Sequence, residues 1–161
     1  MGAFWTTLLA LVLWPLATGL AQIPELTPEP RLSPEQVVVY QVGALQHNDD
    51  PRADAGIERV FRFASPSNKE LTGPLEKFVS IVKSPAYSPM VNNLASSIVG
   101  SRIEGDHAKV AIKVTPEKGS QLTYLFVLTK QHEGKFSDCW MTDSVVPVRE
   151  GENLSDHAIT I

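Results

Sequence analysis

The apolar residues of this chain change their period once. Between Gly56 and Tyr87 they recur at helical spacing, and beyond Pro89 they fall on alternate positions. A chain that passes once from helical to strand periodicity has few ways to bury both patterns, and the simplest is helices packed on one face of a sheet. The stretch from Gly56 to Tyr87 is therefore the organising segment. Ile57, Val60, Phe61 and Ala64 form one helical stripe, which Ser65-Pro66 ends because a residue before proline is pushed out of the α region. Ser67 to Glu70 reads as a polar connection. Thr72-Gly73-Pro74 then starts a helix with the matching stripe Leu75, Phe78, Val79 and Val82.

Upstream, Ser33-Pro34-Glu35-Gln36 has the layout of a capping box with proline at the first helical position, and the helix is predicted to run to about Asn48. Val38, Val42 and Leu45, with Ala44 beside them, make its buried stripe, and Gly43 suggests a close helix contact. Asn48-Asp49-Asp50-Pro51 breaks the chain, and Asp54 is placed to cap the helix that follows. These acids lack the alternating oxygen ligands and closing Glu of a calcium loop, so no metal site is expected.

Downstream, Ile98-Val99, Ser101 and Ile103 suit a strand ending in the hairpin signal Glu104-Gly105-Asp106. Val110, Ile112 and Val114 alternate with Lys109, Ala111 and Lys113, and Gln121 to His132 is apolar on both faces at its centre. The last strand is predicted over Phe136 to Val148, with Pro147 at its frayed end. The fold class is thus α+β: three helices packed on one face of a mostly antiparallel sheet of about four strands. With 161 residues and a hydrophobic fraction of 43%, the chain can support one such core.

From Ala3 to Ala21 no residue is charged. The run carries eight residues of Leu, Val or Trp between Leu8 and Leu20, and ends in Gly19-Leu20-Ala21. Residues 1–21 are therefore expected to be a signal peptide cleaved after Ala21, the alternative being an uncleaved anchor that ties the chain to a membrane. Either outcome places the domain outside the cytosol, in a periplasm, a thylakoid lumen or a secretory space. Residues 22–31 contain Pro24, Pro28 and Pro30 and read as a linker, 32–148 as the single domain, and 149–161 as a loose tail bearing the sequon Asn153-Leu154-Ser155. A net charge of −4 without a Lys/Arg cluster argues against nucleic-acid binding. Cys139 stands alone, so the chain can build no internal disulfide or thiolate cage, and it suits a buried strand position.

Four blocks together, LSPEQVV with ALQHND, DAGIERVFRFASPSNKELTGPLEKFVSIV, YLFVLTKQ and FSDCWMTDSVVPV, resemble an uncharacterised family of small exported proteins. This is the domain of unknown function numbered four-eight-six-four, similar to the nuclear transport factor 2-like fold. The resemblance spans about Leu32 to Val148. It implies a cone of three helices against a strongly curved sheet, often enclosing a pocket and often paired through the outer sheet face. It implies no reaction and supplies no catalytic residues.

In such a cone, Tyr40, Phe61, Phe78, Tyr87, Tyr124 and Met141 are the candidate ligand contacts. Asp143 is the candidate catalytic residue, because strict alternation puts it on one face with Cys139, Met141 and Val145, where an apolar strand would raise a carboxyl pKa. His107 and His132 are weaker acid–base partners. The four histidines, His47, His107, His132 and His157, have no metal-ligand spacing, and no dinucleotide, P-loop or nucleophile-elbow motif occurs, so no cofactor is expected. Three functions fit. The first is a non-enzymatic exported module for a small apolar ligand or a partner protein. The others are an isomerase- or lyase-like enzyme using Asp143, and an assembly protein forming a homodimer through its outer sheet face.

Overall fold

The structure is a computed structural model and describes residues 25–149 and 151–152. The expected signal peptide and the sequon at Asn153 lie outside the described residues. Four α-helices precede the sheet: α1 (Pro34–Gln46), α2 (Ala55–Phe63), α3 (Pro66–Thr72) and α4 (Leu75–Val82). A short 3-10 turn at Ser88–Met90 leads into four strands, β1 (Ala95–Glu104), β2 (His107–Thr115), β3 (Leu122–Lys130) and β4 (Trp140–Val148). The α+β class is as the periodicity requires. No helix among the described residues is long and apolar enough to cross a membrane.

α1 begins with the capping box: Ser33 Oγ accepts from the Gln36 amide at 3.2 Å, and Gln36 Oε1 accepts from the Ser33 amide at 2.9 Å. Its buried stripe holds Val38, Val42, Ala44 and Leu45, joined by Val37 and by Gln41, which is only 1% exposed. Gln41 is tolerated there because Nε2 donates to Thr142 Oγ1 at 2.8 Å, tying α1 to β4. The close contact expected at Gly43 is absent, since a Cβ there would meet nothing within 4 Å. The close approach is at Gly56, where a Cβ would lie 2.1 Å from the Ala44 carbonyl oxygen. Only glycine lets α2 cross α1 at that distance.

Asp54 occupies the cap position of α2 but does not cap it; it is held at φ 62° with no side-chain capping bond. Asn48 does that work from the end of α1. Its Oδ1 accepts from the Ile57 amide at 3.1 Å, and its carbonyl accepts from Gly56 at 2.8 Å. The neighbouring acids are consumed internally. Asp49 accepts from the Asp54 amide and from Asn92 Nδ2, while Asp54 accepts from Asn48 Nδ2 and, at 2.7 Å, from Lys83 Nζ. The Asn92 hydrogen bond lowers the Asp49 pKa, and the Lys83 hydrogen bond lowers that of Asp54. Carboxyls whose pKa is lower folded than unfolded stabilise the fold above the unfolded value, and lose that contribution as pH falls through the folded value. Lys83→Ala is therefore expected to lower the melting temperature at neutral pH. The gap to the parent should narrow as pH is brought down to about 3, below the ordinary carboxyl range.

The segment Ser67–Glu70 is not a connection but part of α3. Ser65 Oγ accepts from the Asn68 amide at 3.2 Å and Pro66 opens the helix, so Ser65-Pro66 repeats the start signal of Ser33-Pro34 while also ending α2. Four helices therefore stand where three are expected. Residues 25–31 touch the domain: Leu26 packs against the core and its amide donates to the Tyr40 hydroxyl at 3.1 Å.

The sheet is an antiparallel meander in the order β1-β2-β3-β4. Gly105, at φ 58°, takes the first position of the two-residue β1–β2 loop, where a side chain would be strained. The helices cover one face, where Ala108, Val110, Ile112, Val114, Tyr124, Phe126, Leu128 and Trp140 meet Val37, Val38, Val42, Ile57 and Phe63. The other face carries a small cluster around Ala111 and Leu125, flanked by Val99 and Val148. Both edge strands are irregular, with register shifts at Val99 in β1 and Asp143 in β4. β4 starts later than expected because residues 131–139 form a separate loop, with a 3-10 turn at Gly134–Phe136.

A candidate ligand cavity beside the β4 edge

β4 is an edge strand, and the helical layer captures it at two places. The Ser65 amide donates to the Thr142 carbonyl at 2.9 Å, where Asn68 Nδ2 also donates at 3.0 Å. Further along, the Tyr87 hydroxyl donates to the Val145 carbonyl at 3.1 Å. Between these two attachments, α3 and α4 stand off from the strand and a cavity of about 220 Å³ opens.

Leu45, Val60, Met90 and Phe126, all buried, form its floor. Phe78, Val82 and Tyr87 build a wall. Leu71, which is 74% exposed, stands at the mouth with Thr72, Ile81 and Ser144. The polar groups facing it are mostly spent on the protein. Thr72 Oγ1 lies 2.8 Å from the Asn68 carbonyl and 2.9 Å from Asn68 Oδ1, and Asn68 Nδ2 is committed to Thr142. A largely apolar space with little free hydrogen-bonding capacity suits hydrocarbon better than water.

Of the six contacts expected from sequence, Phe78 and Tyr87 line this cavity and the other four do not. Tyr40 packs against Phe63 with its ring tilted and the centroids 5.0 Å apart, and its hydroxyl accepts from the Leu26 amide. Phe61 lies behind Phe78 at 5.0 Å, under the ammonium of Lys69. Tyr124 is fully buried and donates to the Ala86 carbonyl at 3.0 Å; burial pushes its pKa up to about 12, so it stays protonated at neutral pH. Met141 is buried but pairs with Thr129, whereas Val145 pairs with Phe126 on the helix-covered face. The bulge at Asp143 puts Met141 and Val145 on opposite faces, so the alternation that grouped them fails there.

The same bulge decides the placement of Asp143. The residue borders the cavity mouth, but its carboxylate accepts from Thr129 Oγ1. Thr129 pairs with His107, and the next pair along, Ala108 with Leu128, is in the core. Adjacent strand positions face opposite ways, so Thr129, His107 and the Asp143 carboxylate lie on the far face of the sheet. His107 Nδ1 is 3.5 Å from Thr129 Oγ1, too long for proton transfer. A shallow hollow of about 190 Å³ nearby is lined by Arg102, Glu104, His107 and Lys109, with Arg102 already paired to Glu104. His132 pairs with Asp106 at 3.2 Å, away from both hollows. Cys139 is buried, which raises the pKa of its thiol. No cluster of three metal-ligating side chains occurs among the described residues.

Missed by sequence reasoning are the α3 contributors Asn68, Leu71 and Thr72, and the β4 rim residues Ser144 and Val145. The signal that would have found the first group is the repeated Ser-Pro helix start. No family model matches the chain, and no curated protein or solved structure matches it.

Proposed function

We propose that this protein is a non-enzymatic binding module that holds one small apolar molecule in the cavity between α3, α4 and the β4 edge. The observation that carries this reading is the apolar floor of a cavity of about 220 Å³ bordered by a strand edge, with the one candidate acid turned to the opposite face. Acid–base catalysis needs two groups within reach of one substrate. Asp143 borders only the mouth of the cavity, and its carboxylate is turned to Thr129. The volume is below the usual 300–1,000 Å³ of drug-sized sites, so the ligand is correspondingly small.

The remaining expectations are part of the same proposal. The apolar run before Gln22 supports export with residues 1–21 removed, and the chain's own blocks support kinship with the cone-shaped exported family. The bulges at Val99 and Asp143 support a curled sheet, because bulges bend and twist the strand that carries them. Native mass spectrometry of the protein isolated from its source tests the binding reading: the folded protein should carry a small non-covalent adduct.

A further inference from the structure

The β4 edge presents a backbone hydrogen-bond donor to the rim of this cavity. Pro147 pairs with Tyr124, and proline has no N–H to give to a neighbouring strand, so this position faces its backbone groups away from β3. Residues two apart along an antiparallel strand point their N–H and C=O to the same side. Val145, opposite Phe126 in the same uninterrupted register, therefore also turns both groups to the free edge. The hydrogen bond from Tyr87 to the Val145 carbonyl agrees with that direction. The carbonyl is occupied, but the Val145 N–H has no acceptor in the hydrogen bonds found among the described residues. The Val145 side chain packs on the core and lines the cavity. One residue thus supplies an apolar wall and, at its edge, an unspent donor.

We infer that the ligand is a small, neutral, largely apolar molecule bearing a carbonyl oxygen, which accepts from the Val145 amide while its apolar body rests on Leu45, Val60 and Phe126. The inference rests on the cavity reading above and adds the polar anchor. A carboxylate is a poorer fit, because Asp143 lies two residues away and no side-chain cation is among the residues that line the cavity. An apolar molecule without an acceptor would leave the rim donor unpaired, at a cost to affinity.

The test is an NMR titration of the full ¹⁵N-labelled chain with two probes of similar size, methyl benzoate and propylbenzene. Both should shift the amide signals of Leu45, Val60 and Phe126. Only methyl benzoate should move the Val145 amide proton downfield, and it should bind about tenfold more tightly, the preference one hydrogen bond supplies. Equal affinities with an unmoved Val145 signal, while the floor residues respond, would overturn the inference and leave the cavity reading standing. No response of the floor residues to either probe would overturn both.

Discussion

Gly56→Ala is expected to destabilise the domain by about 3 kcal/mol, a large fraction of the roughly 5–15 kcal/mol that holds a domain folded. The added methyl would sit 2.1 Å from the Ala44 carbonyl oxygen and 2.7 Å from the Asn48 Cα, both backbone atoms that cannot rotate aside. Relief requires α2 to lift from α1. That would also strain the Gly56 N–H bond to the Asn48 carbonyl and the cap that Asn48 places on Ile57. Gly43→Ala is the matched control, since its added methyl meets nothing within 4 Å. A solvent-side glycine within a helix costs about 0.5–1 kcal/mol relative to alanine, so this variant should be neutral or more stable. Urea denaturation of the two variants checks the contrast. Equal stabilities would mean that the α1–α2 crossing is not set by Gly56.

Phe63→Ala should cost about 3–5 kcal/mol, the range for deleting a fully buried aromatic side chain. Phe63 is 0% exposed, packs against the tilted ring of Tyr40 and belongs to the main core. Phe61→Ala should cost clearly less, because Phe61 is only half-buried and its ring shares its environment with the Lys69 chain. Thermal melts of both variants decide the order. A larger loss for Phe61 would show that the stripe inferred from helical spacing, not the observed core, carries α2.

That contrast shows where the sequence is legible. Ile57, Val60 and Ala64 are buried as their spacing requires, but spacing alone assigns Phe61 to the stripe and leaves Phe63 out. Phe63 is the last residue of α2, where the chain is already turning toward the bridge between Ala64 and Thr142. Periodicity describes the middle of a helix and loses its hold at the end. The strands are read more securely, because Val110, Ile112 and Val114 must share a face whatever covers them.

The candidate site is legible only in part for a related reason. Phe78 is found through its helical stripe, while Asn68 and Thr72 are hidden in a polar segment that folds only because Ser65 and Pro66 start a helix there. Asp143 is misplaced because one bulge, invisible to alternation, turns its carboxylate to Thr129. Gln41 and Asn48 are polar residues buried through long-range hydrogen bonds, to Thr142 and to Ile57, which no local pattern announces.

Whether the cavity beside β4 holds a small molecule is read out by native mass spectrometry of the parent and of Val145→Trp. Val145 is part of the lining and half-buried, so an indole at that position fills the space while leaving the buried floor unchanged. The parent, isolated from its source, is expected to carry a small non-covalent adduct, and the tryptophan variant, folded and melting like the parent, is expected to carry none. A parent that is folded and free of any adduct, or an adduct that persists undiminished in Val145→Trp, would contradict the binding reading.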